Sequence, residues 1–220
     1  MSRAPGASRV NPNPLPNAVF SAALQLLVLG VLPCIAYGVY RRRRYRRSWS
    51  EVRLDLGFAL GPPRYLAFAL AGCALVAAVS YGVATHMPRE LLAGDRSPHR
   101  TWFAAGVTSQ TAALAALYAV VKTGLTEELL FRGLVAGALS RRLSLGVANV
   151  AQTAIFLAPH VPVAFVAPSA AALTLGSVTV MSLLSGWLRI RSGSMVGAWW
   201  MHATANLVTA YVAATSSPSA

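Results

Sequence analysis

Glu127 and Glu128 stand side by side in Thr126-Glu127-Glu128-Leu129-Leu130-Phe131-Arg132-Gly133, between apolar runs. The whole chain holds only 6 acidic residues. An ionised group at membrane depth costs roughly 2.5–3.5 kcal/mol on insertion scales, so intramembrane carboxylates point to function by default. On a helix, Glu128 and Arg132 are four apart and share a face, while Glu127 points about 100° away. Glu128 with Arg132 then makes a charge-compensated strut, and Glu127 is left as a candidate general base. The plainer alternative is a structural ion network in which both carboxylates satisfy Arg132 and Lys122.

Two later stretches carry the other candidates. In Phe156-Leu157-Ala158-Pro159-His160 the histidine, taken alone, reads as a helix-end residue at the membrane surface, with Phe156 packing on the same face. In His202-Ala203-Thr204-Ala205-Asn206 an imidazole and an amide share one helix face inside an uncharged span. Two such groups can point at one cavity, or they can serve as interhelical hydrogen bonds that hold a bundle together. His86 and His99 flank a polar loop and receive no role.

The elements that must position these groups are membrane helices. The chain has 220 residues, 55% hydrophobic and 11% charged, with mean hydropathy +0.54. Soluble domains carry about 25% charged residues. Uncharged runs long enough to span occur at Ala18–Tyr40, Tyr65–Thr85, Thr101–Val121, Ala164–Leu188 and Ser194–Thr215, with a shorter one at Leu143–Pro159. The expected fold is an all-α, polytopic transmembrane bundle of six to eight helices. Residues 1–17 read as a disordered tail, 18–100 as N-terminal spans and polar loops, 101–215 as the core carrying the chemistry, and 216–220 as a C-terminal tail. Breakers in the second polar loop include Met87-Pro88, Gly94-Asp95 and Ser97-Pro98.

Net charge is +13. Arg41–Arg47 beside an apolar span reads as an orientation signal that meets anionic headgroups rather than as a nucleic-acid site. Positive-inside logic puts that cluster in the cytoplasm and also favours Arg141-Arg142 and Arg189–Arg191 there. All three agree only if Thr101–Leu139 crosses once. The expected form is a broken helix hinged at Gly124, giving about six crossings and seven helical segments. Cys34 and Cys73 sit in apolar runs and read as packing residues without a disulfide.

Glu127-Glu128-x-x-x-Arg132, Phe156-x-x-x-His160 and His202-x-x-x-Asn206, in that order, resemble the three-motif pattern of the CPBP family. That family comprises Rce1-type CAAX prenyl endopeptidases and bacteriocin-processing or immunity proteins, also called Abi. Phe131-Arg132-Gly133 and Arg191-Ser192-Gly193-Ser194 are similar to its flanking sequence. The resemblance covers about residues 105–212.

It implies an intramembrane endopeptidase acting on a membrane-associated or lipidated peptide or protein, as in CAAX processing. By motif position, Glu127 activates a water, His160 assists, His202 and Asn206 stabilise the oxyanion, and Arg132 with Glu128 holds the geometry. The alternative within the family is a catalytically inactive immunity or scaffold protein. A proton-relaying transporter ranks lower, because no internal repeat is visible.

The family is described as both glutamate- and metal-dependent. A metal route would gather Glu127, His160 and His202 around a divalent ion such as zinc. The chain lacks HExxH and the ligands would come from three helices, so no cofactor is the expectation. Expected partners are membrane lipid and a peptide or lipidated protein substrate, with no nucleic acid. The expected location is a multi-pass position in a bacterial plasma membrane. Pro159 and Pro162 predict a helix break at His160, which either exposes the ring to a cavity or displaces it from the glutamates.

Overall fold

The computed structural model describes residues 14–88, 92 and 99–216. The expectations for the extreme N-terminal tail, for Gly94-Asp95 and Ser97-Pro98, and for the last residues of the C-terminal tail lie outside them. Within the described residues the chain is helical, with no strand. The helices are α1 (Leu15–Tyr45), α2 (Trp49–Asp55), α3 (Pro63–Thr85), α4 (Arg100–Ala105), α5 (109–140), α6 (Leu145–Leu157), α7 (Val163–Val166), α8 (Pro168–Ser192) and α9 (Val196–Thr215). Among the described residues, α2, α4 and α7 are short pieces inside stretches read as loop or as parts of longer spans, and the other six helices form the all-α bundle that the hydropathy predicts.

Helices α1, α3 and α8 have 31, 23 and 25 residues and are long and apolar enough to cross a membrane. Polar side chains lie inside the bundle along with its apolar core, and large apolar side chains stand outside. Glu128, Arg132, Gln152, Ser182, Ser185 and His202 are buried, while Phe20, Leu70 and Phe165 stand on the outside. Contiguous exposed apolar surface of this kind marks contact with lipid. This is a membrane protein.

Helix ends follow their sequence signals. α1 starts at Leu15, three residues before the expected Ala18, and stops where Arg46 turns left-handed at φ 53°. Ser48 then caps α2 with Glu51 in a reciprocal capping box. Thr108 and Thr111 do the same at the start of α5. α8 closes on Gly193 at φ 71°, whose N–H reaches the Arg189 carbonyl.

The expected hinge at Gly124 is absent. α5 runs unbroken, but its turns at Leu117–Leu125 and Leu129–Ala136 are π-type. Gly124 permits this, since a Cβ there would stand 2.2 Å from the Ala119 carbonyl oxygen. The hydroxyls of Thr123 and Thr126 donate back to the Tyr118 and Val121 carbonyls, five residues earlier, at 2.9 and 3.2 Å. The Lys122-Thr123-Gly124 interruption therefore lies inside a continuous but widened stretch of helix. Such π-turns often mark functional positions.

An unbroken α5 also settles the relation of the arginine clusters. The C-terminal ends of α1, α5 and α8 meet at Asp55, whose carboxylate pairs with Arg41 at 2.8 Å and lies 3.8 Å from Arg141. The Asp55 carbonyl accepts from Arg189 at 2.7 Å, and Arg189 also donates to the Arg132 carbonyl at 2.9 Å. One end of the bundle is therefore basic. Near its middle α9 packs against α3, α5 and α8, which brings His202 to the Glu pair. The free thiols Cys34 and Cys73 take no part in a disulfide.

Candidate active site

The site is built on the two π-widened stretches of α5, which flank Thr126–Glu128. Glu128 and Arg132 face the bundle interior, and both side chains are 0% exposed. Their closest approach is Arg132 Nη1 to Glu128 Oε1 at 3.1 Å, the i,i+4 pair that the spacing predicts. A buried pair costs more the fewer of its remaining polar groups are held; here Glu128 Oε2 and Arg132 Nε have no hydrogen-bond partner among the described residues. Arg132 Nη2 donates to Ser182 Oγ at 3.1 Å. Ser182 in turn donates to Thr153 Oγ1 at 3.2 Å, and Gln152 donates to the Ser182 carbonyl at 3.0 Å. Beneath this ladder, Gly186 lets α6 close on α8, since a Cβ there would lie 2.1 Å from Asn149 Oδ1.

His202 completes the buried group. Its Nδ1 lies 2.9 Å from Glu128 Oε1. A carboxylate paired with Arg132 accepts, so Nδ1 carries the proton. The other nitrogen, Nε2, lies 3.8 Å from Glu127 Oε2. Glu127 points away from the strut, as its position on the helix requires, and its side chain keeps 27% of its exposure. One imidazole therefore bridges a dry carboxylate and a wetter one.

Phe156 is the apolar hub. The Arg132 guanidinium carbon lies 4.2 Å from its ring centroid, and the rings of Phe131, His160 and His202 lie 4.9, 4.9 and 6.2 Å away. It packs as the sequence suggests, and what it packs against is the set of motif side chains.

His160 and Asn206 stand further off. The prolines break α6, and Ala158–His160 forms a 3₁₀ turn. Within it His160 Nδ1 donates to the Phe156 carbonyl at 2.9 Å, which leaves Nε2 as the acceptor of the neutral ring. His160 makes no hydrogen bond or ion pair with Glu127, Glu128 or His202. Asn206 Nδ2 donates to Thr123 Oγ1 at 2.7 Å, a bond to the π-turn upstream of the glutamates. His202 and Asn206 thus share a face but bond to different places along α5.

Phe156, His160, His202 and Asn206 line one cavity of about 280 Å³, together with Tyr118 and apolar side chains of α3 and α8. Glu127 is not part of its wall. Sequence reasoning passed over Thr123, Tyr118, Gln152, Thr153 and Ser182. The available signal was a hydroxyl or amide inside an otherwise apolar segment. Among the described residues, no group of three or more His, Cys, Asp or Glu side chains is arranged to hold a metal ion. Glu127, His160 and His202 do not form such a group: His160 makes no hydrogen bond or ion pair with the other two, while the His202 Nδ1 bond to Glu128 leaves Nε2 open.

Residues 109–208 match the family model described as type II CAAX prenyl endopeptidase, Rce1-like. All seven motif residues fall inside that stretch, which supports the assignment to the CPBP family that the motifs resemble. No curated protein and no solved structure matches the chain.

Proposed function

Proceeding from the Rce1-like character of residues 109–208, we propose that this chain is an intramembrane endopeptidase. It hydrolyses a peptide bond in a membrane-associated or lipidated peptide, without a metal. The observation that carries this reading is the division of labour between adjacent carboxylates. Glu128 is dry, paired with Arg132 and bonded to His202, whereas Glu127 is accessible and 3.8 Å from the opposite nitrogen of the same ring.

In this mechanism Glu127 takes a proton from a water molecule as its oxygen attacks the peptide carbonyl carbon. The carbonyl electrons move to oxygen. The Asn206 amide has two N–H donors and spends one on Thr123, so the other can meet this oxyanion. His202 Nδ1–H is committed to Glu128, so donation from Nε2 needs a second proton on the ring. His160 Nε2 orients the water. Collapse of the intermediate breaks the C–N bond, and the proton held by Glu127 passes to the leaving amine. The apolar α3 and α8 side of the cavity suits a lipidated or hydrophobic substrate. The protein sits as a multi-pass bundle in a bacterial plasma membrane, with the basic end toward the cytoplasm.

The test is cleavage of a quenched fluorescent lipopeptide by purified protein in detergent. Glu127→Gln is expected to remove turnover while leaving the elution profile and melting temperature unchanged. Full activity in that variant would remove the proposed base. If the variant instead complements a deletion strain without turnover, binding suffices and the protein is an immunity or scaffold member of the family.

A further inference from the structure

A second cavity, also about 280 Å³, lies among α1, α2 and Leu129 of α5 and shares no wall residue with the cavity of the candidate active site. Its walls are Val31, Ile35 and Cys34 of α1, Trp49 of α2, Phe58, and Leu129, the residue directly after Glu128. Helix α2 roofs it, with Trp49 seated on Gly38, where a Cβ would stand 2.7 Å from the indole. Ile35, Trp49 and Phe58 are 50%, 52% and 41% exposed, so the mouth faces the lipid around α1.

The rim is strongly cationic. Arg53 is exposed at the mouth and makes no ion pair among the described residues. Arg42 lies 5.0 Å from the Trp49 ring. The acidic residues nearby are already engaged, Glu51 with Arg47 and Asp55 with Arg41.

We infer that this cavity holds one acyl chain of an anionic phospholipid, whose phosphate is met by Arg53 and Arg42. The apolar walls match a hydrocarbon chain, and the surrounding medium supplies one. The charge on the rim selects an anionic headgroup over a zwitterionic one, because juxtamembrane arginines favour anionic lipid. An amphipathic helix at the interface is the usual place for such contact. The bound chain backs onto Leu129, which opens the π-turn directly after the glutamates. The inference rests on membrane residence alone, and its test does not need peptidase turnover.

The full chain is reconstituted in phosphatidylcholine nanodiscs. These contain a small fraction of either phosphatidylglycerol or phosphatidylcholine with a photoreactive acyl chain, and adducts are mapped by mass spectrometry. Adducts within residues 31–58 should be about fivefold richer with the phosphatidylglycerol probe and should be competed by unlabelled phosphatidylglycerol. Arg53→Gln should bring the two probes toward parity. Ile35→Trp, a bulky change at a lipid-facing position, should remove adducts in that segment. It should leave those on the α3 face around Leu70, which report a folded bundle. Equal labelling by the two lipids, or labelling of 31–58 unchanged in Ile35→Trp, would overturn the site.

Discussion

The buried group around Glu128 and the clasp around Asp55 are both built from one carboxylate and arginines, yet they sit in different media. Glu128 and Arg132 are wholly excluded from solvent, with one arginine, one imidazole and a ladder of neutral hydroxyls and amides around them. Asp55 lies at the basic end, draws in Arg41 and Arg141, and offers its backbone carbonyl to Arg189. Burial makes each missing partner expensive in the first group. In the second, with Arg41 and Asp55 still 12% and 18% exposed, residual hydration softens that cost. The interior group therefore suits positioning a reactive carboxylate, and the clasp suits joining three helix ends.

Substitutions can separate these two jobs. The largest effect is expected for Glu127→Gln, a loss of roughly 10²–10⁴-fold in turnover, the usual worth of a general base, with the melting temperature unchanged. Arg132→Met should act through stability. It leaves Glu128 buried without its cation and should cost about 3–5 kcal/mol in denaturant unfolding. A fully stable Arg132→Met would show that the interior group is not under the strain its burial implies.

Asp55→Asn should cost about 1–3 kcal/mol, between the exposed and fully buried cases, and leave lipopeptide cleavage intact. A loss of turnover with normal stability would mean that the basic end takes part in the chemistry. The smallest effect belongs to Glu51. The Ser48 N–H, and then Arg47, hold its carboxylate down at about 2. A lowered carboxylate stabilises the fold above its unfolded value of 4.5, and that contribution is lost as pH falls through about 2. Glu51→Gln should therefore reduce the acid sensitivity of amide-exchange protection in α2, with little change at neutral pH.

Much of this was legible in the chain because it was local. Four-residue spacing paired Glu128 with Arg132 and sent Glu127 elsewhere. Pro159 and Pro162 announced the break that produced the 3₁₀ turn at His160. The arginine clusters at the ends of α1, α5 and α8 meet at one end of the bundle, around Asp55. The break at Gly124 was misread, because glycine after Lys122-Thr123 signals an interruption just as well as a close carbonyl approach. Which of the two occurs depends on hydroxyls that bond back five residues. His202 and Asn206 looked like a matched pair, yet one bonds Glu128 and the other Thr123.

The sequence by itself determined that carboxylates, imidazoles and an amide sit in apolar helices with a basic end, because helical spacing and hydropathy act over a few residues. Only the tertiary structure decided that His202 would bridge the two glutamates, that Ser182 and Phe156 would hold Arg132, and that His160 would stay at the cavity wall. Those outcomes depend on how α6, α8 and α9 approach α5, and packing between helices distant in the chain leaves no periodic trace in it.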